Sequence, residues 1–394
     1  MFSKFTSVYI YIFKSIVVLA YLYIYTYFYQ NPNEVDIFKY YNDGIAIYQY
    51  KNSDFYGYLR ILFGLETPTD IFYLKQNTFH WYKSFEEFGI NENRSIIRFH
   101  ALFSLLSGGS YIAHTAVTTF MSYLGILLFT KTWIAYIHKF EKIWILSTFL
   151  LPSILFWNAG VLKEPFVILG LGLLVYALFF PHKKLYIIPA LLLILSTKEY
   201  IFIAVLPITL AAIISNIMHG KPWICYTSSL LFFFIFCILI SEFTSFNFWN
   251  IIQKKQAAFI NVSTLNNAKS QFTVTPLEPK LISILKNSPQ AIINTLFRPF
   301  PSELKSPLYF LSFLENVLIW ILGIYAIIKA NWKMIFSNSI FWFSVCFVLL
   351  LALMIGLTVD NSGSLVRYRM PYLPFLLAIF AFILSQKKKE NDLV

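Results

Sequence analysis

Hydrophobic runs recur along this chain from Val8 to Ser385, and they constrain its fold more than any other feature. Many of the runs approach the roughly 20 residues that an α-helix needs to cross about 30 Å of hydrocarbon. Hydrophobic residues make up 58% of the 394 residues, and charged residues make up only 13%. Soluble domains carry about 25% charged residues and could not bury this much apolar surface. The sequence therefore predicts an all-α, polytopic membrane protein and excludes cytoplasmic enzymes, secreted domains and disordered regulators.

The runs predict about ten membrane spans. We place them near residues 8–28, 112–137, 143–160, 165–181, 185–197, 200–218, 223–242, 307–328, 335–357 and 371–386. If the N-terminus lies in the cytoplasm, every cytoplasmic connection is short and contains lysine, as the positive-inside rule requires. Those lysines are Lys131, Lys139, Lys142, Lys183, Lys184, Lys221, Lys329, Lys333 and Lys387 to Lys389. We therefore expect both termini to be cytoplasmic.

This topology leaves two long connections on the opposite side of the membrane. Residues 29–111 form the first of these loops and residues 243–306 the second, within a single integral membrane domain covering 1–394. The stretch from Ile96 to Tyr111 is only moderately apolar, because it is interrupted by Arg98 and His100. We expect an interfacial helix there, although an extra pair of spans remains an alternative.

The basic residues outnumber the acidic ones by 31 to 19, which gives a net charge of +12. They cluster between apolar runs, a pattern that favours topology signals and contacts with anionic lipid over nucleic-acid binding. The cysteines, Cys225, Cys237 and Cys346, all lie inside apolar runs, so we expect them to be packing residues.

Two carboxylates follow the first predicted span. If the segment around them is helical, Asp36, Tyr40 and Asp43 share one face at positions i, i+4 and i+7. The two carboxylates are then about 10.5 Å apart along the axis, which suits a base and a positioning group. The alternative is a solvated amphipathic helix.

Two Lys-Glu pairs interrupt the apolar runs on the same predicted side. Lys163 and Glu164 separate two spans, and Lys198 and Glu199 follow a span of 13 residues. Such a span is only about 20 Å long, so the second pair should lie below the membrane surface. Charges at that depth usually face a partner or a water-filled cavity. Structural ion pairs or snorkelling lysines are the alternatives.

Arginines precede the last spans on this side. Arg298 lies shortly before the eighth span, which itself contains Glu315, and we expect Glu315 to face the bundle and orient a cation. Arg367 and Arg369 flank Tyr368 before the final span. Because outer arginines oppose the positive-inside bias, and because guanidinium groups grip phosphates through two parallel hydrogen bonds, these positions favour anion binding.

Acids and cations on the outer side suit sugar transfer from a lipid phosphate, in which cations bind the phosphate and a carboxylate deprotonates the acceptor hydroxyl. The segment DIFKYYNDG at 36–44, the long loop that holds it, and LVRYRMP at 365–371 together resemble the polytopic GT-C-type glycosyltransferases and the related bacterial polysaccharide polymerases. This resemblance implies that Asp36 is the catalytic base and Asp43 its neighbour. It also implies that Arg367 and Arg369 bind the donor phosphate.

We therefore expect an enzyme of a bacterial inner membrane that transfers a sugar from a polyprenyl-phosphate-linked donor to a glycan or protein acceptor. Its substrate-binding residues would be Lys163, Glu164, Lys198, Glu199, Arg298, Arg367, Tyr368 and Arg369. No cofactor is indicated. A divalent metal has no support, since the first loop lacks an adjacent acidic pair.

Three other functions remain open on the sequence. A repeat-unit polymerase of the O-antigen or capsule type would depend on Arg367 more than on Asp36. A transporter or flippase would typically show inverted repeats and midplane charges, whereas this chain shows no repeat. A structural subunit of an envelope complex would use the same charges only as ion pairs.

Overall fold

The computed structural model describes residues 4–27, 36–82, 91–137, 148–158, 160–218, 221–265, 268, 270–304 and 307–386. Helical residues make up 82% of this part of the chain, and no strand occurs within it. The all-α prediction is therefore confirmed. The predicted tail lysines, Lys387 to Lys389, lie outside the described residues.

The chain divides into two compact units, which we describe separately. The first unit consists of Met1–Lys131, Leu155–Ala177 and Lys183–Glu199. The second consists of Thr132–Ile154, Leu178–His182 and Tyr200–Val394.

The helices of the first unit include four in the predicted first loop. They are α1 (Lys4–Tyr27), α2 (Asp36–Tyr50), α3 (Phe55–Phe63), α4 (Pro68–Asn77), α5 (Glu92–Ser107) and α6 (Tyr111–Ile134), followed by α7 (Pro152–Trp157), α8 (Glu164–Phe179) and α9 (Ile187–Thr197), of which α6, α7 and α8 extend into the second unit. We call α2 to α5 the first-loop helices. The segment from Asp36 through Asp43 is helical, which is the condition under which its two acids share one face.

Local sequence signals set the ends of the first-loop helices. Asp54 caps α3 by accepting a hydrogen bond from the Gly57 amide, and Gly64 ends that helix at a φ of 77°. Such a positive φ favours glycine because it has no Cβ. Asn91 caps α5 in the same way as Asp54 caps α3, by accepting from the Asn93 amide.

The first-loop helices pack through a small residue. Helix α2 continues through Gly44, where a Cβ would lie 2.6 Å from Cβ of His100 on α5. The glycine therefore allows close packing of α2 on α5 instead of ending the helix. The core beside it contains Ile47, Tyr58 and Ile97, all fully buried. This packing fixes the face of α2 that carries Tyr40 and Asp43.

The second unit contains most of the long apolar helices. The helices of this unit, long and short, are α10 (Glu199–Met218), α11 (Pro222–Phe243), α12 (Phe248–Leu265), α13 (Leu281–Phe297), α14 (Pro307–Ile328), α15 (Trp332–Ile335), α16 (Ser339–Thr358), α17 (Ser362–Tyr368) and α18 (Leu373–Ser385). Helices α13 and α16 approach closely at Gly356, where a Cβ would overlap the backbone oxygen of Ala291. One turn away, Thr295 donates a hydrogen bond to the Ala352 carbonyl at 2.7 Å.

Among the residues that the structure describes, five helices are long and apolar enough to cross a membrane. They are Tyr111–Ile134, Glu199–Met218, Pro222–Phe243, Tyr309–Ile328 and Ser339–Thr358. A sixth span would be α17 with α18, which are bent by 60° relative to one another at a break that contains Pro371. Val8–Ile24 and Glu164–Phe179 are shorter apolar helices. These findings support a membrane protein, but the predicted number of about ten spans is not confirmed.

Replacing Gly356 with alanine should destabilise the second unit, because the new Cβ would overlap Ala291 and lie 2.6 Å from Thr295 Oγ1. We expect a loss of about 1–3 kcal/mol, measured by unfolding of the purified protein in a detergent series. Leu349→Ala on the same helix is the matched control, since Leu349 is 45% exposed. Equal stability of Gly356→Ala and the unmodified chain would contradict this account of the packing.

Candidate functional site

The two Lys-Glu pairs of the first unit meet in one cluster with Glu92, the first residue of α5. Lys163 Nζ lies 3.0 Å from Glu92 Oε2, and Lys198 Nζ lies 3.3 Å from Glu164 Oε1. The backbone N–H of Glu199 donates to Glu92 Oε1 at 2.9 Å. We call these five residues the Lys–Glu cluster. Its ion pairs join segments that are distant in sequence.

The Lys–Glu cluster is largely removed from solvent. The exposed fraction of the paired side chains is 6% for Lys163 and Lys198, 12% for Glu92 and 2% for Glu164. Removing isolated charges from water costs several kcal/mol per ion, so each of these groups needs its partner. These charged groups are buried at the ends of apolar helices, and a functional role is the default hypothesis for charges in such positions.

Lys163 also contacts the face of α2 on which the sequence places the two acids. Its ammonium lies 5.4 Å from the centre of the Tyr40 ring, a cation–π arrangement. Tyr40 lies four residues after Asp36 and three before Asp43, so both acids are its neighbours on the helix surface. The side chain of Asp36 lies outside the described residues.

Asp43 is buried and engaged by the backbone. Its two oxygens accept the amide hydrogens of Phe79 at 3.0 Å and His80 at 2.7 Å. Burial raises the pKa of Asp43, while these amides and the nearby His80 act in the opposite direction. Asp43 thus fixes residues 79 and 80 against α2. This fits a positioning group, and its role in catalysis stays a prediction.

Glu92 and Asp70 are two acids that the sequence analysis did not single out. Glu92 follows Asn91, a helix-capping residue before an apolar periodic segment, and that signal could have placed it at the membrane edge. Asp70 is fully buried on α4, where it accepts hydrogen bonds from Arg60 Nε at 2.7 Å and from the Thr67 hydroxyl at 2.7 Å. The Arg60 guanidinium holds the pKa of Asp70 well below its usual range.

The second unit brings Arg298 and Arg369 together with two glutamates. Arg369 Nη1 donates to the Arg298 carbonyl at 3.0 Å, and its Nη2 lies 3.7 Å from Glu315 Oε1. Arg298 forms an ion pair with Glu303. The predicted orientation of Glu315 toward a cation is confirmed. We call these four residues the guanidinium cluster.

The surroundings of Arg298 are largely apolar. Its guanidinium lies 3.8 Å from the centre of the Phe272 ring, and its Nε donates to Asn294 Oδ1 at 3.1 Å. Burial lowers the pKa of Arg298 from its ordinary value, which still leaves an arginine charged near neutral pH. Glu315 Oε2 accepts the Ser153 amide at 2.8 Å. With two arginines and two glutamates, the cluster is balanced in charge.

Arg367 and Tyr368 differ from Arg369 in their surroundings. Arg369 is fully buried, whereas Arg367 is half-buried on α17. The Tyr368 ring makes edge-to-face contacts with Tyr200 and Phe259, with centroids 5.9 and 5.8 Å apart. Arg367 is therefore the more accessible of the two arginines.

A buried histidine pair lies beside the first-loop helices. Nδ1 of His100 and Nδ1 of His114 are 2.7 Å apart, and Nε2 of His114 is 3.0 Å from the Ser107 hydroxyl. Both histidines are thus held by hydrogen bonds inside the protein. In the described part of the chain, no group of three or more His, Cys, Asp or Glu residues could hold a metal ion.

Comparison of the chain with protein-family models, with curated proteins and with solved structures finds no match. The arguments for function therefore come from the residues themselves. The strongest of them is the proximity of Lys163, Glu92 and Tyr40 in the first unit.

Replacing Lys163 with methionine should destabilise the first unit by about 3 kcal/mol, because Glu92 would be left buried without its cation. The double variant Lys163→Met/Glu92→Gln should recover most of that loss, since glutamine can still accept the Glu199 amide. The measurement is unfolding in mixed micelles. Lys280→Met is the control, because the Lys280 side chain is 68% exposed. A double variant as unstable as Lys163→Met would refute the pairing.

Asp70→Asn should cost about 2 kcal/mol at neutral pH, because the bonds to Arg60 and Thr67 favour the charged carboxylate. The pKa of Asp70 is lower in the folded protein than in the unfolded chain, where it is near 4. The stabilisation by the Asp70 carboxylate is therefore fully present above the pKa of the unfolded chain, and it is lost as the pH falls through the pKa of the folded protein. The difference between the variant and the unmodified chain should therefore shrink below about pH 4. The control is Glu278→Gln, whose side chain is 66% exposed. A difference independent of pH would contradict this role for Asp70.

Proposed function

We propose that this chain is a GT-C-like membrane glycosyltransferase with about ten spans and both termini in the cytoplasm of a bacterium. It moves a sugar from a polyprenyl-phosphate-linked donor to a glycan or protein acceptor on the extracytoplasmic side. One observation carries the proposal: the ammonium of Lys163 lies over Tyr40, the residue between Asp36 and Asp43 on α2. Lys163 thus contacts the face of α2 to which the helical spacing assigns Asp36 and Asp43.

In this proposal the residues of the first unit divide the reaction between them. Lys163 binds the donor phosphate, and Lys198, paired with Glu164, lines the floor of the site with Glu199. The acceptor hydroxyl attacks the anomeric carbon, and the bond from that carbon to the phosphate oxygen breaks. Asp36 takes the hydroxyl proton, and the polyprenyl phosphate leaves with the bonding electrons. Lys163 stabilises the negative charge on this leaving group.

The buried contacts of Asp43 fit the role of a positioning group. Because its oxygens accept the amides of Phe79 and His80, it holds the loop after α4 against the helix that carries Asp36. Loss of Asp43 should therefore disturb the geometry around Asp36 without removing the base itself.

The proposal is tested by sugar transfer in membrane vesicles that contain the full chain. The probes are polyprenyl phosphates carrying different radiolabelled sugars, and the readout is label leaving the organic-extractable lipid. Asp36→Asn should lower the rate roughly 100-fold or more, and Lys163→Met/Glu92→Gln should also abolish transfer while remaining folded. Lys280→Met should retain full activity, since Lys280 is exposed and has no role in the proposed reaction.

The alternatives give different results in the same vesicles. Movement of intact labelled lipid between leaflets, with no sugar released, would indicate a flippase. Unchanged glycan product from the folded double variant would indicate a structural subunit. Either outcome would overturn the proposed glycosyltransferase.

A second candidate is a repeat-unit polymerase, favoured by the gathering of arginines in the second unit. Arg298 and Arg369 are paired with glutamates, and Arg367, half-buried on the short helix α17, is more accessible to solvent than Arg369. A polymerase should tolerate Asp36→Asn and lose activity in Arg367→Gln. The transferase should show the reverse order of sensitivity.

A further inference from the structure

Helix α5 lies between two apolar helices. Its first residue, Glu92, pairs with Lys163, which immediately precedes the apolar helix α8. Its last residue, Ser107, lies four positions before the start of α6, a candidate span. The 16 residues of α5 cover about 24 Å, yet the helix contains Arg94, Arg98 and His100 and is too polar to be a span. Both ends of α5 are therefore held where apolar helices begin.

One side of α5 exposes leucines that continue into the candidate span. Leu102 is 54% exposed, Leu105 45% and Leu106 85%. Ile112, in the first turn of α6, is 73% exposed. Spacing by three and four residues places the leucines on one face of the helix. The surface that meets lipid along α6 thus extends onto α5.

Helix α3 exposes large apolar side chains on the side that the protein does not cover. Its sequence is FYGYLRILF, in which Gly57, Tyr58 and Ile61 are buried. On the opposite side, Tyr56 is 74% exposed and Phe63 is 75% exposed. Leu59, between them, is half-buried and also packs against the core. These positions, i, i+3 and i+7, form one face.

Helix α3 is fastened to the side of α5. The Tyr58 hydroxyl donates to the Ala101 carbonyl at 3.1 Å, and Arg98 Nε donates to the Ile61 carbonyl at 2.8 Å. Packed helices lie about 8–10 Å apart. Helix α3 therefore lies within one helix diameter of α5 and of its exposed leucines.

The charged side chains near this face are already paired. Arg60 on α3 bonds to both Asp54 and Asp70, and Arg98 pairs with Glu66 at 2.8 Å. Contact with lipid therefore does not require an unpaired charge to leave water. Aromatic side chains such as Tyr56 and Phe63 are also typical of the membrane interface.

We propose that α3 is a membrane-seated helix whose Tyr56, Leu59 and Phe63 face packs into the lipid leaflet beside α5. The occupant of this face is lipid, because α3 is held beside a helix whose exposed leucines continue into a membrane span. This seating anchors the first-loop helices at the membrane surface and does not depend on the proposed sugar transfer.

Fluorescence quenching tests the proposal in the full chain. Cysteines introduced as Tyr56→Cys and Phe63→Cys carry an environment-sensitive dye, and the protein is placed in phosphatidylethanolamine and phosphatidylglycerol vesicles. The native cysteines are buried, so the dye reacts with the introduced one, and the unmodified chain gives the background. Lys280→Cys reports water exposure, and Leu349→Cys on the apolar helix α16 reports lipid exposure.

At positions 56 and 63 we expect strong quenching by spin-labelled lipid, as at 349. Iodide in water should quench the dye at these two positions roughly threefold less than it quenches the dye at position 280, as expected for an interfacial helix that buries one face in lipid. Iodide quenching equal to that at 280 would overturn the proposal. Protection from iodide in native membranes that disappears in the vesicles would also overturn it, because a partner protein would then cover this face.

Discussion

The pairing of the buried charges Lys163 and Glu92 is the constraint on which the first unit depends. Lys163 and Glu92 are both more than four-fifths buried, and neither could remain charged there alone. Their pairing joins the first-loop helix α5 to the start of α8. The bond from the Glu199 amide to Glu92 joins a third segment to the same carboxylate. One glutamate thus holds together parts of the chain that are more than 100 positions apart.

The sequence predicted the helices, and which residues share a helix face, better than it predicted which distant residues form ion pairs with one another. The shared face of Asp36, Tyr40 and Asp43 depended on this segment being helical, and the structure shows a helix there. Periodicity does not reveal which distant residue completes an ion pair, so Glu92 was missed although the two Lys-Glu pairs were noticed. Glu315 could be predicted to face a cation, because a carboxylate inside an apolar helix has few other options.

The number of spans was harder to predict, because an apolar run does not fix the length of a straight helix. The runs at 165–181 and 185–197 form helices of 16 and 11 residues, shorter than a straight crossing requires. The last run, 371–386, forms a helix of only 13 residues, Leu373–Ser385. It is bent by 60° relative to the short helix Ser362–Tyr368 before it, at a break that contains Pro371, which cannot donate the hydrogen bond of a continuous helix. Hydropathy records composition, while helix length and direction depend on turns and on packing.

The same pairing constrains how the first unit could bind a lipid phosphate. Two lysines and three glutamates give the Lys–Glu cluster a net charge of −1, so it does not attract an anion as it stands. A phosphate that approaches Lys163 must share or displace Glu92. Displacement is feasible because Glu92 retains a second partner, the Glu199 amide, and is not left without a hydrogen bond. Under the proposed function, donor binding exchanges one buried ion pair for another, and Glu92 favours release of the phosphate after the sugar has been transferred.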